Sequence, residues 1–151
     1  MPSATTDYLR TFQLGDATVT IMNIGNIRYP LSLVMNASAE ELAQRGDLAG
    51  LLTQQQLPVF DVHIRLPGTS LLVDAGIYDL SPEFAVPNYT PPPSLIEQLA
   101  QVGVAPDAIE HVIITHAHWD HFSGTTTDAD GYVPLFPNAH YYLGAPDWAQ
   151  V

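Results

Sequence analysis

The segment Thr115-His116-Ala117-His118-Trp119-Asp120-His121 gathers three imidazoles and a carboxylate directly after the apolar run Val112-Ile113-Ile114. Neutral imidazole is the commonest protein ligand for zinc, and a carboxylate beside it extends the choice to iron and manganese. Successive side chains of an extended segment alternate faces, so His116 and His118 point the same way and can share one metal ion. Asp120 and His121 follow once the chain has turned and can address a second position close by. Paired hydrolytic metals sit roughly 3.5–4 Å apart, a separation that ligands interleaved this tightly suit. Zinc lowers the pKa of bound water to about 7, so the chemistry in view is a hydroxide nucleophile beside a Lewis acid.

Strands, turns and caps must carry these groups. His111 to Thr115 reads as a short buried strand leading straight into the cluster. Upstream, Val59 to Leu66 alternates, with Phe60, Val62, Ile64 and Leu66 on one face and Asp61, His63 and Arg65 on the other, the period of a half-buried strand. On that reading His63 is an ordinary surface or partly buried histidine. Pro67-Gly68 supplies a turn, and Thr69 to Val73 returns as a second strand ending in Asp74-Ala75-Gly76. Ala17 to Met22 reads as a first strand and Asn23 to Leu33 as an irregular loop. The stretch Ile24 to Met35 either walls a substrate or packs ordinarily. Ser38 with Glu41, and Ser94 with Glu97, have capping-box form and predict helices, the second showing Leu95, Leu99 and Val102 on one face before Gly103. Residues 81–93 hold five prolines and read as a loop. Pro106-Asp107 starts another turn, Ala139 to Leu143 reads as a strand, and Pro146 to Val151 as the start of a helix. The order of elements predicts an α/β or α+β layer structure, with helices on one side of a sheet.

Composition narrows the function. Sixteen acidic residues face four arginines and no lysine, giving a formal net charge of −12. A nucleic-acid partner needs a basic footprint, and an anionic membrane surface is disfavoured in the same way. There is no cysteine, so any metal must be held by His, Asp or Glu. No apolar run approaches the roughly 20 residues of a membrane span, and the first residues lack the pattern of a signal peptide. A cytoplasmic protein acting on a small molecule is expected, with its oligomeric state open.

His116-x-His118-x-Asp120-His121 after an apolar strand and Thr115 resembles the signature of metallo-β-lactamase-fold hydrolases. Leu71-Leu72-Val73-Asp74-Ala75-Gly76 resembles the earlier strand-end Asp motif of that family. Gly103-Val104-Ala105-Pro106-Asp107-Ala108-Ile109 resembles the turn before its motif strand, and Phe136-Pro137-Asn138-Ala139 with Tyr141 the strand after it. The resemblance implies an αββα sandwich of which this chain supplies one sheet and its flanking helices. It implies that His116 and His118 ligate a first metal, and Asp120 and His121 a second. Asp120 would also orient a bridging hydroxide and take up its proton, while Asp74 braces the motif loop with hydrogen bonds. Two zinc ions are implied, with iron or manganese as alternatives. Residues 136–139 and the Ile24–Met35 stretch look most like the lactonase-type branch. A glyoxalase-II-like thioesterase is the nearest alternative, and a non-catalytic metal-binding fragment the one from another class.

One departure matters. The family completes its site with a further His, a bridging Asp and a final His from the second half of its fold, and after His121 this chain offers only His140. Asp128, Asp130 and Asp147 are too near in sequence to bridge. Four ligands split over two metals give each only two. Residues 1–151 are therefore expected to be a single, C-terminally truncated domain whose sheet exposes an apolar face. Trp119 and Phe122 flank the ligands and either line a pocket or pack beneath the loop.

Overall fold

A computed structural model of the chain describes residues 6–46, 56–76, 84–127 and 131–149. Asp128, Asp130 and part of the proline-rich stretch lie outside the described residues. The central feature is a six-stranded sheet in the order β1-β2-β3-β4-β5-β8. Its strands are β1 (Leu9–Leu14), β2 (Ala17–Arg28), β3 (Gln56–Leu66), β4 (Thr69–Val73), β5 (His111–Ile114) and β8 (His140–Leu143). β1 to β4 form an antiparallel meander, and β5 and β8 continue it in parallel register, so the sheet is mixed. A two-stranded ribbon of β6 (Thr126–Thr127) and β7 (Val133–Pro134) stands apart. The expected α/β class, one mixed sheet with flanking helices, is what is found.

The β3–β4 hairpin follows its pattern. Val62 pairs with Val73 and Leu66 with Thr69 across the Pro67-Gly68 turn, where Gly68 takes φ +83°, a left-handed value that glycine adopts freely. Both capping boxes form. Ser38 opens α2 (Ala39–Ala43) and Ser94 opens α3 (Leu95–Gln101), each serine oxygen accepting the backbone N–H three residues on while the Glu carboxylate accepts the serine N–H.

Two expectations change. The segment read as an irregular loop after Met22 is the continuation of β2 to Arg28, followed by the short helix α1 (Leu31–Val34), and β1 was not anticipated. Register slips between Asn23 and Gly25, marking a β-bulge. The bulge explains why the strand hides from simple alternation. It inserts a residue and switches the side-chain phase midway. Its freed Asn23 carbonyl accepts a hydrogen bond from Gln98 Nε2 of α3 at 2.8 Å. Ile24, Ile27 and Leu31 are all buried, so ordinary packing accounts for these apolar residues.

The second change concerns which face of β3 looks inward. Asp61 and His63 are 0% and 2% exposed, whereas Phe60 on the opposite face is 47% exposed. The polar face of β3 is the interior one. Residues paired across strands share a face, so this interior continues through Thr20, Met22 and Leu72 into Val112. Leu95 and Leu99 of α3, with Val104, Ile109 and Phe136, pack there as the core. The other face carries Phe12, Phe60, Ile113 and Tyr142, all exposed. That is the open apolar face expected of a half-sandwich.

Among the described residues no helix is long and apolar enough to cross a membrane. The two faces predict different mutational responses. Leu99→Ala, fully buried, should lower unfolding free energy in urea by about 2–5 kcal/mol. Phe12→Ser should change it by less than about 1 kcal/mol. Equal losses at both positions would contradict this assignment of the core.

Candidate metal centre

β4 and β5 run in parallel side by side and deliver Asp74 and Thr115 to the same end of the sheet. Asp74 takes φ +60°, a left-handed conformation that a non-glycine residue adopts at a cost of roughly 1–2 kcal/mol. Hydrogen bonds hold it there. Its N–H donates to the Ile113 carbonyl at 2.9 Å. Its carboxylate accepts from the Thr115 N–H at 2.8 Å, from the Thr115 hydroxyl, and from His121 Nδ1 at 2.8 Å. The next residues continue the attachment. Ala75 N–H donates to the His121 carbonyl and Gly124 N–H to the Ala75 carbonyl. The motif therefore leaves β5, turns through the short helix α4 (Trp119–Phe122), and is fastened at both ends to the Asp74–Gly76 turn.

The ligand candidates fall into two pairs. His116 Nε2 lies 3.0 Å from His118 Nδ1, and His121 Nε2 lies 3.6 Å from Asp120 Oδ2. Two donors on one tetrahedral zinc, each about 2.0–2.1 Å from it, stand roughly 3.3–3.4 Å apart. Both spacings bracket that value, so the residues present fit divalent metals as two half-cages. Among the described residues no three such groups are posed around one ion. The structure thus brings the four predicted ligands together while giving each position only two.

The hydrogen-bond pattern assigns the imidazole tautomers. The Thr115 hydroxyl places its proton on Asp74, so at 3.2 Å it accepts from His116 Nδ1 and leaves a lone pair on His116 Nε2. His121 donates through Nδ1 to Asp74, which leaves its Nε2 free to ligate, the carboxylate–histidine arrangement common behind metal ligands. Burial pushes the His116 imidazole below its ordinary range, and His121 and His118 nearby act in the same direction. That direction favours the neutral ring that a metal ligand must present.

Three side chains around this centre were not identified as parts of it. Asp61 lies beneath the turn, both its oxygens accepting the Gly76 N–H at 3.0–3.1 Å. Burial pushes its carboxyl up to about 7, with Asp74 adding to the rise against the Gly76 hydrogen bond. Asp147, on α5 (Ala145–Trp148), accepts the Ala117 N–H between the two first histidines at 3.3 Å. Phe84 stacks between Tyr29 and Trp119, with ring centroids 6.0 and 5.0 Å away. The alternation of β3 could have located Asp61 next to Asp74, but nothing in the proline-rich stretch marks Phe84. Trp119 and Phe122 both pack against the core cluster, partly buried.

A family model described as the metallo-beta-lactamase superfamily matches residues 56–127, the span from β3 through the motif. The chain carries the metallo-β-lactamase fold. Among solved structures, a "probable metal-dependent hydrolase" from Staphylococcus aureus is similar at TM-score 0.73 and 24% identity, over 92% of this chain and 50% of that one. AidC, a dizinc quorum-quenching lactonase with a product bound, is similar at TM-score 0.71 and 19% identity, over 93% and 46%. The hydrolase AbOPH of the beta lactamase superfamily follows at TM-score 0.66 and 20% identity, over 97% and 47%. The chain thus spans about half the length of these metallo-β-lactamase-fold structures. No curated protein matches the sequence.

His63, expected to be an ordinary surface or partly buried histidine, is fully buried in the core with Nε2 2.9 Å from the Ser70 hydroxyl. The reason is the inverted facing of β3. Burial pushes its imidazole down to about 4, with Arg65 acting in the same direction. The folded state favours the neutral ring, so the unfolded chain binds the extra proton between about pH 6.5 and 4, and stability falls as pH drops through that window. The stability advantage of wild type over His63→Asn should therefore shrink by about 3 kcal/mol between pH 7 and 4. Parallel urea titrations of the two proteins measure it, and a pH-independent gap would contradict a buried neutral His63.

Proposed function

We propose that residues 1–151 form the N-terminal half of a metal-dependent hydrolase acting on a small carbonyl ester, lactone or thioester. The observation that carries the reading is the two-pair geometry: His116 and His118 as one half-cage, Asp120 and His121 as the other, braced by Asp74. His116 Nε2 and His118 Nδ1, the latter once its ring proton has moved to Nε2, would hold a first divalent ion, and Asp120 and His121 Nε2 a second. Zinc suits this cysteine-free donor set, as do iron and manganese. When bound, such ions supply Lewis acidity and a nucleophile at neutral pH.

The chain's own residues do the rest. Asp74 fixes the His121 ring through Nδ1 so that Nε2 faces the centre, and Thr115 does the same for His116. Asp120 would take up a proton at its carboxylate and return it to the leaving oxygen or sulfur of the substrate. The Tyr29–Phe84–Trp119 ring stack stands beside the motif and offers an apolar wall, which suits an acyl group and supports the lactonase-like branch. The net charge of −12 counts against phosphate-rich substrates, nucleic acids and anionic membranes as partners. A glyoxalase-II-like thioesterase uses the same centre. A non-catalytic metal-binding role is favoured by one observation, the presence of only two donors per ion among the described residues.

Calorimetric titration of the chain with zinc should show weak binding, reduced at least about 10-fold by His116→Ala or Asp120→Ala. Unchanged affinity in both variants would sink the ligand assignment. The reaction is tested with a panel of lactones, thioesters and phosphodiesters. The whole hydrolase should cleave a lactone or thioester in a chelator-sensitive way, and either substitution should lower kcat/KM by about 100-fold or more. Residues 1–151 alone should show no turnover. Robust turnover by them would overturn the half-site reading, and inactivity of the whole protein on the panel would favour the metal-binding role.

A further inference from the structure

We propose that Asp61 is a positioning residue for the metal loop, its buried carboxyl group setting the place of the Asp74–Gly76 turn against the backbone of Asp120 and His121. The proposal rests on the metal-centre reading above for its functional meaning, but its geometry stands on its own.

Asp61 and Asp74 are the two buried acids among the described residues, and they have different surroundings. Asp74 is met by the Thr115 N–H, the Thr115 hydroxyl and His121 Nδ1. Among the described residues Asp61 has one donor, the Gly76 N–H, shared between its two oxygens at 3.1 and 3.0 Å. A wholly buried carboxyl group with a single N–H is costly to retain for packing alone. What it holds is a backbone segment without side-chain slack. A Cβ on Gly76 would run into Ile24 Cδ1 and would lie 3.0 Å from the Asp120 carbonyl oxygen and 3.2 Å from Asp61 Oδ1. Gly76 therefore lies in close contact with Ile24, the Asp120 peptide and the Asp61 carboxyl, with no room for a side chain.

The contact continues outward from that point. The Ser123 hydroxyl donates to the Gly76 carbonyl at 3.0 Å, Ala75 N–H reaches the His121 carbonyl, and Gly124 N–H reaches the Ala75 carbonyl. Asp120 and His121 thus take their height above the sheet from a turn whose underside rests on β3. A displacement of Gly76 moves the Asp120–His121 pair relative to His116 and His118, which hang from β5. Among the described residues Asp61 makes no hydrogen bond or ion pair to a ligand side chain, so it acts through Gly76.

The test compares wild type, Asp61→Ala, Asp61→Asn and Val59→Ala by amide hydrogen exchange without metal and by zinc affinity. Val59 is buried on the same strand and makes no hydrogen bond to the turn, so it reports generic destabilisation. In wild type the Gly76 N–H should be protected although it lies outside any strand. In Asp61→Ala, exchange at Ala75 and Gly124 should accelerate at least about 10-fold more than at Ile64, and zinc affinity should fall about 10–100-fold. Asp61→Asn, which keeps an acceptor for Gly76, should restore both to within about 3-fold of wild type. An unprotected Gly76 in wild type would overturn the proposal without any variant, so a non-folding Asp61→Ala leaves it decidable. Equal effects from Val59→Ala, or an Asp61→Asn no better than Asp61→Ala, would also overturn it. If wild type takes up no zinc at all, the metal reading fails while the exchange data still decide the role of Asp61.

Discussion

The Asp74 carboxylate joins the end of β4 to both ends of the motif. It ends β4 in a left-handed conformation, grips the start of the motif through Thr115, and grips its far end through His121. The strain of φ +60° is persistent because four hydrogen bonds over-determine it. A longer or shorter side chain would not reach both Thr115 and His121 from that backbone. The six residues from His116 to His121 are held within the span that Asp74 sets, so the spacing of donors in sequence becomes a spacing in space.

The inverted facing of β3 follows from what covers each side of the sheet. α3 lies over the face that holds Asp61, His63 and Thr20, and Gln98 ties it to the bulge in β2. Polar groups on this covered face are tolerated because each finds a partner: His63 with Ser70, Asp61 with Gly76, Thr20 with Thr11. The opposite face is richer in large apolar side chains and yet lies open. A sheet that hides its polar residues and exposes Phe60 and Ile113 makes sense as one layer of a thicker structure, since contiguous exposed apolar surface on this scale marks a face built for contact. The half-length coverage of the similar solved structures agrees with that reading.

Much of this was legible in the sequence, for identifiable reasons. The hairpin of β3 and β4, both capping boxes, and the strand leading into the motif depend on interactions within a few residues, and local pattern reports those. The four ligand candidates and Asp74 were legible because chemistry demands particular side chains at fixed spacing. The rest depends on partners far away in the chain. β2 was cut short because a bulge changes the alternation, and the bulge is stabilised by Gln98, 75 residues on. His63 was misplaced because alternation tells that two faces differ but not which one a helix will cover. Phe84 carries no local signal and becomes part of the ring stack only when the chain returns past Tyr29.

Electrostatics gives a reason for these imidazoles to gather where they do. The ring centroids of His116 lie 4.4 Å from His118 and 4.1 Å from His121. Two protonated rings at such a distance repel by about 4 kcal/mol at an effective dielectric constant near 20. For His116 this repulsion acts in the same direction as its burial, which holds the ring below the ordinary imidazole range. Asp74 and Asp120 meanwhile bring negative charge to the same few ångströms, and the chain as a whole is strongly acidic. Protons cannot neutralise that field without crowding like charges on adjacent rings. A single divalent cation can, because it is met by two lone pairs at once and brings no second imidazolium. Under the proposed metal-binding role, a compact divalent cation would meet that field, and the side chains that would hold it are braced by Asp74.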